Sequence, residues 1–464
     1  MKLTLEKIAE FTGGSVRGNK EITVRNASID SRKLEPDCLF IALKGERTDG
    51  HLYIDQAFAS GAAAALTIRD LYHGNSGAVV ETDDTAVAMG RIAAGILRER
   101  GDSVFKIAVT GSVGKTSTKD MVASVIGGHY ITLKSELNQN NELGLPLTVM
   151  RLDETHEALV TEMGMRGLGQ IEYLTKIVRP DVAIITNIGI SHLETLGTRE
   201  NILRAKLEIC KGMRPGGKLI LNGDNDMLSD EALVQAILEE YGADAIETVY
   251  FGTEENSAYR AENIHGSSYE LFTPSGQHFA VRLRVPGVHN VYNSMAAVCA
   301  ANALGISSEE AVDTLSLFGE EASRQKIVET PWGFVIDDTY NAGPESMAAS
   351  LGVLRDMDAD IKIAALGDML ELGVLSEESH RKVGRLASEA AGVLLAVGPQ
   401  SVIYYDTFDG LRKMHVSDSS EGARVLPPII RDYAQRGLKV GVLVKGSHAI
   451  RMNLISEALI NDFV

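Results

Sequence analysis

Residues 106–120 read KIAVTGSVGKTSTKD, and the fold turns on how this stretch is understood. Residues suited to a buried strand run into a glycine turn, then Lys115-Thr116, then a helical pattern from Ser117. Strand, glycine turn and helix in that order bring backbone N–H groups to a helix start, where they can cradle phosphate. Lys115 can then reach β- and γ-phosphate oxygens, and the Thr116 hydroxyl can meet Mg²⁺. The spacing departs from the common phosphate loop, because only Ser112 and Val113 separate Gly111 from Gly114. A tight strand-to-helix turn with a solvated lysine is the plainer alternative, but packing gives no reason for Lys-Thr directly after Gly114.

Outward from this loop the chain reads as α/β. EALVTEM, DVAIITNIG and GKLILNG are strand candidates, separated by helical patterns from Ile171 and from Glu200 through Met213. Strands alternating with helices predict a parallel, doubly wound sheet. A β-rich patch from TVYFGT to HFAVRLRVPG and the Ala-rich helix NVYNSMAAVCAANALG complete the segment. Before it lie short apolar runs, CLFIAL and AAAALTI, between polar turns. After it GFVIDDTY, IKIAALGD, GVLLAVG and KVGVLVKG read as buried strands of a second alternation. With 464 residues the chain is too long for one ordinary domain, and three are expected: 1–102, 103–318 and 319–464.

The net charge of -18 argues against a nucleic-acid backbone as partner, so single Lys and Arg in glycine loops become informative. Cys38, Cys210 and Cys299 share no metal-ligand spacing and suit a reducing compartment. The opening MKLTLEKIAEFTGG reads as an amphipathic helix rather than a signal peptide, and no run approaches the ~18 apolar residues of a membrane span. A cytoplasmic protein with no membrane insertion is expected, with monomer as the default state.

Further residues carry chemistry. Glu162 and His192 both lie just past predicted parallel strands, where open α/β sheets place ligands, and could hold a divalent ion beside a triphosphate. Singly, each could equally be a helix cap or a structural group. Lys206 sits in ENILRAKLEICKGM, where Ile202, Leu203, Ile209 and Cys210 share its helix face, so the lysine points inward. Burial lowers a lysine's pKa, and a neutral amine can react with CO₂ to form an anionic carbamate. A snorkelling lysine with its head in water is the alternative. His289-Asn290 is read as preceding a helix, with Asn290 either an N-cap or a partner for an adenine edge. Arg324 could neutralise a γ-phosphate, Asp338 could hold a ribose hydroxyl, and Lys445 follows a buried strand as a candidate for a substrate carboxylate.

Taken together, these stretches resemble the Mur ligase family, the ATP-dependent amide ligases of peptidoglycan precursor synthesis, whose members carry the shortened loop TG-x-x-GK-[ST]-[ST]. The resemblance covers essentially the whole chain. DSRKLEPDCLFIALKGERTDGH looks like the family's uridine-nucleotide module, NQNNELGLPLT and EMGMRGLGQI like its central domain, and DDTYNAGPESM, LGDMLELG and LVKGSHAIR like its C-terminal domain. It is nearest to the branch joining D-alanyl-D-alanine to UDP-N-acetylmuramoyl-tripeptide through an acyl phosphate. The Asp-Asn-Pro-Arg motif of the third-residue ligase and the Gly-rich module of the first two ligases are absent.

The resemblance implies an N-terminal UDP-binding domain, a central ATPase-type domain with a mostly parallel sheet, and a C-terminal Rossmann-like domain. It implies ATP at Gly111, Ser112, Val113, Gly114, Lys115, Thr116 and Ser117, with Asn290 on adenine, Arg324 on the γ-phosphate and Asp338 on ribose. Two Mg²⁺ ions are implied, held by Thr116, Glu162, His192 and a carbamylated Lys206; Lys115, Lys206, His192 and Arg324 form the catalytic set. Ser31, Arg32, Asp49 and His51 are implied on the UDP side, and Asn138, Asn141 and Arg166 along the muramoyl-peptide path. Asn341 and Lys445 are expected to bind substrate. Asp37-Cys38, Ser323 and Gly343 depart from the family's usual residues. Two rivals are weighed. A folylpolyglutamate-type ligase would not need the N-terminal module, and a P-loop nucleotide-binding regulator would need Asn-Lys-x-Asp, whereas Asn19-Lys20 is followed by Glu21 and Ile22.

Overall fold

The computed structural model describes the chain except residues 46–47, 137, 244, 320–324 and 462–464. It is a three-domain α/β structure built on mostly parallel sheets.

The decisive stretch forms strand Phe105–Thr110 and helix Lys115–Gly127. The strand is buried on both faces: Ile107 and Val109 enter one apolar cluster, Ala108 the opposite one. That period-two division is what a strand covered by helices on both sides requires. It lies inside a nine-stranded sheet, flanked in parallel by Ala158–Glu162 and Val182–Ile185. Lys218–Asn222, Glu247–Gly252 and Tyr259–His265 extend the parallel part, and Ser268–Phe272 and His278–Arg282 add an antiparallel edge to it. The chain's path reverses about Phe105–Thr110, which puts a crevice at the strands' C-terminal ends.

The N-terminal sheet has five strands, including the expected Cys38–Ile41 and Ala64–Ile68. Its residues Leu39, Ile41, Leu66 and Val80 share one apolar cluster with central-sheet residues Leu159 and Ile185, so these two sheets have a continuous core. The opening segment forms helix Leu5–Thr12 after a short strand, Leu3–Thr4. The C-terminal sheet has six strands, with Gly333–Asp338, Val440–Lys445, Ile361–Gly367, Val393–Val397 and Arg412–Val416 in parallel sequence. It has apolar clusters of its own on either face.

Two departures from expectation are local. The pattern read as one helix through Met213 is α-helical over Arg199–Leu207 and tightens to a 3₁₀ turn over Glu208–Gly212. Asp37, one of the residues singled out as a departure, adopts φ 58°, a left-handed conformation that glycine occupies without strain. Among the described residues no helix is long and apolar enough to cross a membrane.

Candidate active site

The glycine loop takes its shape from two backbone requirements. Gly111 has φ 148° and Gly114 φ 81°, and a Cβ on Gly111 would stand 1.9 Å from the Thr186 hydroxyl. Lys115 folds back so that Nζ donates to the carbonyls of Gly111 at 2.9 Å and Ser112 at 3.2 Å. Thr116, beside it, donates its hydroxyl to Glu162 Oε2, while Asn140 Nδ2 donates to Glu162 Oε1 at 2.9 Å. Glu162 is therefore no helix cap. It ends a buried strand and meets the phosphate loop directly.

His192 stands at φ 66°, just before the short helix Leu193–Leu196, and makes no capping hydrogen bond with its side chain. Burial first, with positive charge nearby, pulls its pKa down to about 4. The imidazole is thus neutral near pH 7, the form that ligates a metal. Its Nδ1 lies 3.6 Å from the Glu371 carboxylate of the C-terminal domain.

Lys206 is 2% exposed, which rules out the snorkelling arrangement. Among the described residues it has neither a hydrogen-bonding nor an ion-pair partner. Burial, with Lys115 as a second positive charge, holds its amine well below the ordinary lysine range. A buried cation without a partner is costly, which favours the neutral amine.

A cavity of about 590 Å³ joins the central and C-terminal domains, a volume suited to a nucleotide. It is lined by loop residues 112–117, by Asn290 and Asn293, and by Asp338, Asn341 and Lys445. Asn290 is not ahead of a helix, as its sequence suggested, but within the first turn of Val288–Ala303, whose N-cap is Gly287 at φ 103°. Asn290 Oδ1 accepts from Asn293 Nδ2 at 3.1 Å, and Asn293 Oδ1 accepts from Thr118 at 3.0 Å. The sequence reading missed Asn293, although its spacing of three from Asn290 puts both on one helix face.

Asp338 and Lys445, considered separately in the sequence, are partners. Their strands run in parallel with Asp338 opposite Lys445, and Nζ donates to Asp338 Oδ2 at 2.7 Å and to the Asn341 carbonyl at 2.9 Å. Ser350 also donates to Asp338. Lys445 is thus not a lone cation awaiting a carboxylate; any acid it receives must share it with Asp338.

The remaining expectations divide. His51 is buried with both ring nitrogens engaged, Nδ1 with Asp49 at 2.6 Å and Nε2 accepting from the Ile68 N–H at 3.1 Å, so in this arrangement it braces the N-terminal domain. Arg32 is exposed and held by Asp30, next to the half-buried Ser31. Asn141 Oδ1 accepts from the N–H groups of Leu143 and Gly144 just ahead of helix Gly144–Met150. Asn138 accepts from the Tyr340 hydroxyl across the domain boundary, and Arg166 is exposed. Arg324 lies outside the described residues.

Magnesium takes oxygen ligands and keeps several waters, so a hydroxyl beside a carboxylate, as Thr116 and Glu162 provide, fits it. Among the described residues no group of three or more His, Cys, Asp or Glu is placed to hold a metal ion.

The comparisons with known proteins agree over the whole chain. The model of the Mur ligase middle domain matches residues 109–301, that of the Mur ligase glutamate ligase domain 323–448, and that of the Mur ligase family catalytic domain 23–95. The UDP-N-acetylmuramoyl-tripeptide–D-alanyl-D-alanine ligase of Bacillus subtilis is 36% identical, covering 96% of this chain and 98% of its own. A crystal structure of MurF from Acinetobacter baumannii superposes with a TM-score of 0.89 at 32% identity, over 99% of each chain. A MurF ligase from Thermotoga maritima, solved in complex with ADP, gives 0.80 at 27% identity, over 95% of this chain and 98% of its own.

Proposed function

This chain belongs to the Mur ligase family, and on that premise we propose that it joins D-alanyl-D-alanine to UDP-N-acetylmuramoyl-tripeptide at the expense of ATP, forming the pentapeptide precursor of peptidoglycan. The observation that carries the reading is the single cavity walled by the phosphate loop, the Asn290–Asn293 face and the Asp338–Lys445 pair. One space thus adjoins two domains, as a reaction between a phosphorylated acid and a separately bound amine requires.

ATP binds with its phosphates on loop residues 111–117, adenine against Asn290 and ribose near Asp338. The tripeptide's terminal carboxylate is a poor electrophile. Its oxygen attacks the γ-phosphorus, the bond to ADP breaks, and an acyl phosphate results. The amine of D-alanyl-D-alanine then attacks the acyl carbon, loses a proton, and phosphate departs from the tetrahedral intermediate. Lys115 offsets the negative charge developing on the transferred group, and Arg324 is proposed to assist it. Thr116 and Glu162, with neutral His192 and a carbamylated Lys206, would hold Mg²⁺, whose charge would screen the phosphate oxygens. Domain closure brings acyl phosphate and amine together and excludes water. Ser31, Arg32 and Asp49 are proposed toward the uridine nucleotide.

Phosphate release from ATP, measured with UDP-muramoyl-tripeptide in the presence and absence of D-alanyl-D-alanine, tests this. Sustained release that requires both, with a pentapeptide nucleotide as product, is expected. Release driven instead by another amino acid and acceptor overturns the assignment within the family.

A further inference from the structure

The shortened loop raises a donor problem. A helix-start phosphate site works through free backbone N–H groups, yet two of this loop's N–H groups are already engaged. Ser112 N–H and Val113 N–H donate to Asn187 Oδ1 at 3.0 and 2.9 Å, and Ser112 N–H is shared with the Asn187 carbonyl at 3.1 Å. Asn187 reaches them because strand Val182–Ile185 runs beside Phe105–Thr110, with Ile185 opposite Thr110. Its neighbours grip the same loop: Thr186 donates to the Val113 carbonyl at 2.6 Å, and the Gly189 N–H donates to the Ser112 hydroxyl at 2.9 Å.

These contacts fix the orientation of the Asn187 amide. Turned the other way it would set an NH₂ group against two N–H donors, so Oδ1 faces the loop and Nδ2 faces away. Asn187 is half-buried and lines the same cavity as Lys115, Thr116 and Asn290. Among the described residues, Nδ2 has no hydrogen-bonding partner.

We propose that Asn187 is a further nucleotide-binding residue, which holds the shortened loop through Oδ1 and donates Nδ2–H to a phosphate oxygen of the bound nucleotide. The exchange explains how a loop two residues short can still serve a polyphosphate: two backbone donors are used for shape, and a side-chain NH₂ restores two donors beside them. The inference rests on the nucleotide-site reading given above.

Asn187→Asp separates the two roles. The carboxylate has the same size and keeps an acceptor toward Ser112 and Val113, but it replaces the donor with an anionic oxygen. Calorimetric titration of the full chain with ADP and with adenosine, beside the ligand-free thermal midpoint, reads the result. The expected outcome is ADP binding weakened about 30-fold by the lost donor and the added repulsion, with adenosine binding and the midpoint close to wild type. Asn187→Thr, uncharged and without an NH₂ group, should lose about 10-fold on ADP and guards against a folding failure of the acidic variant. ADP affinity within about threefold of wild type in both folded variants would overturn the inference while leaving the nucleotide site in place. Failure of the wild type to bind ADP would sink the nucleotide-site reading and this inference together.

Discussion

Lys206 combines burial with a missing counter-charge, and its sequence context already indicated half of this. Apolar residues three and four positions away predicted the inward face; the absence of a carboxylate partner depends on tertiary packing that no local pattern records. If its amine carries a carbamate, Lys206→Ala should cut ligation at least ~100-fold, and added formate or acetate should restore part of the rate. A mutant with full activity would remove Lys206 from the mechanism. The positions of Glu162, at the end of a parallel strand, and of His192, in the loop beyond one, were likewise legible. Asn187 and Asn293 were not singled out. Asn293 had a readable signal in its spacing from Asn290, whereas Asn187 becomes informative only once its strand is known to lie beside the phosphate-loop strand. The pairing of Lys445 with Asp338 was hidden for a similar reason, since it depends on register between strands 107 residues apart.

At the scale of the element, the strand–loop–helix from Phe105 to Gly127 was readable almost to its boundaries, because apolar alternation, two glycines and Lys-Thr all agree. The helix Val288–Ala303 was displaced by a few residues at its start, since Gly287 rather than a polar residue caps it. The loop's dependence on glycine gives a direct prediction. Gly111→Ala would drive a methyl group into the Thr186 hydroxyl at a backbone angle suited to glycine. A loss of ~2 kcal/mol in stability is expected, together with loss of ADP binding. Urea unfolding and ADP titration check both halves, and a variant that binds ADP like wild type would show that the loop tolerates another shape.

The whole molecule divides unequally. The N-terminal and central sheets share one apolar core, whereas the C-terminal sheet has its own clusters, against one of which Ile190 of the central domain packs, and polar contacts also cross that boundary. Glu345 accepts from the Ile190 N–H at 3.3 Å, Tyr340 donates to Asn138, and Glu371 stands by His192. The three-domain plan was legible from the two α/β alternations, but the shared core was not, because it joins residues far apart in sequence. The central claim is that carboxylate activation and amine capture proceed through an acyl phosphate. Its most direct test uses UDP-muramoyl-tripeptide labelled with ¹⁸O in the terminal carboxylate, with mass analysis of the phosphate released during ligation to D-alanyl-D-alanine. The account predicts one ¹⁸O in each phosphate formed, because the attacking carboxylate oxygen leaves with phosphorus. Unlabelled phosphate alongside pentapeptide product would contradict it.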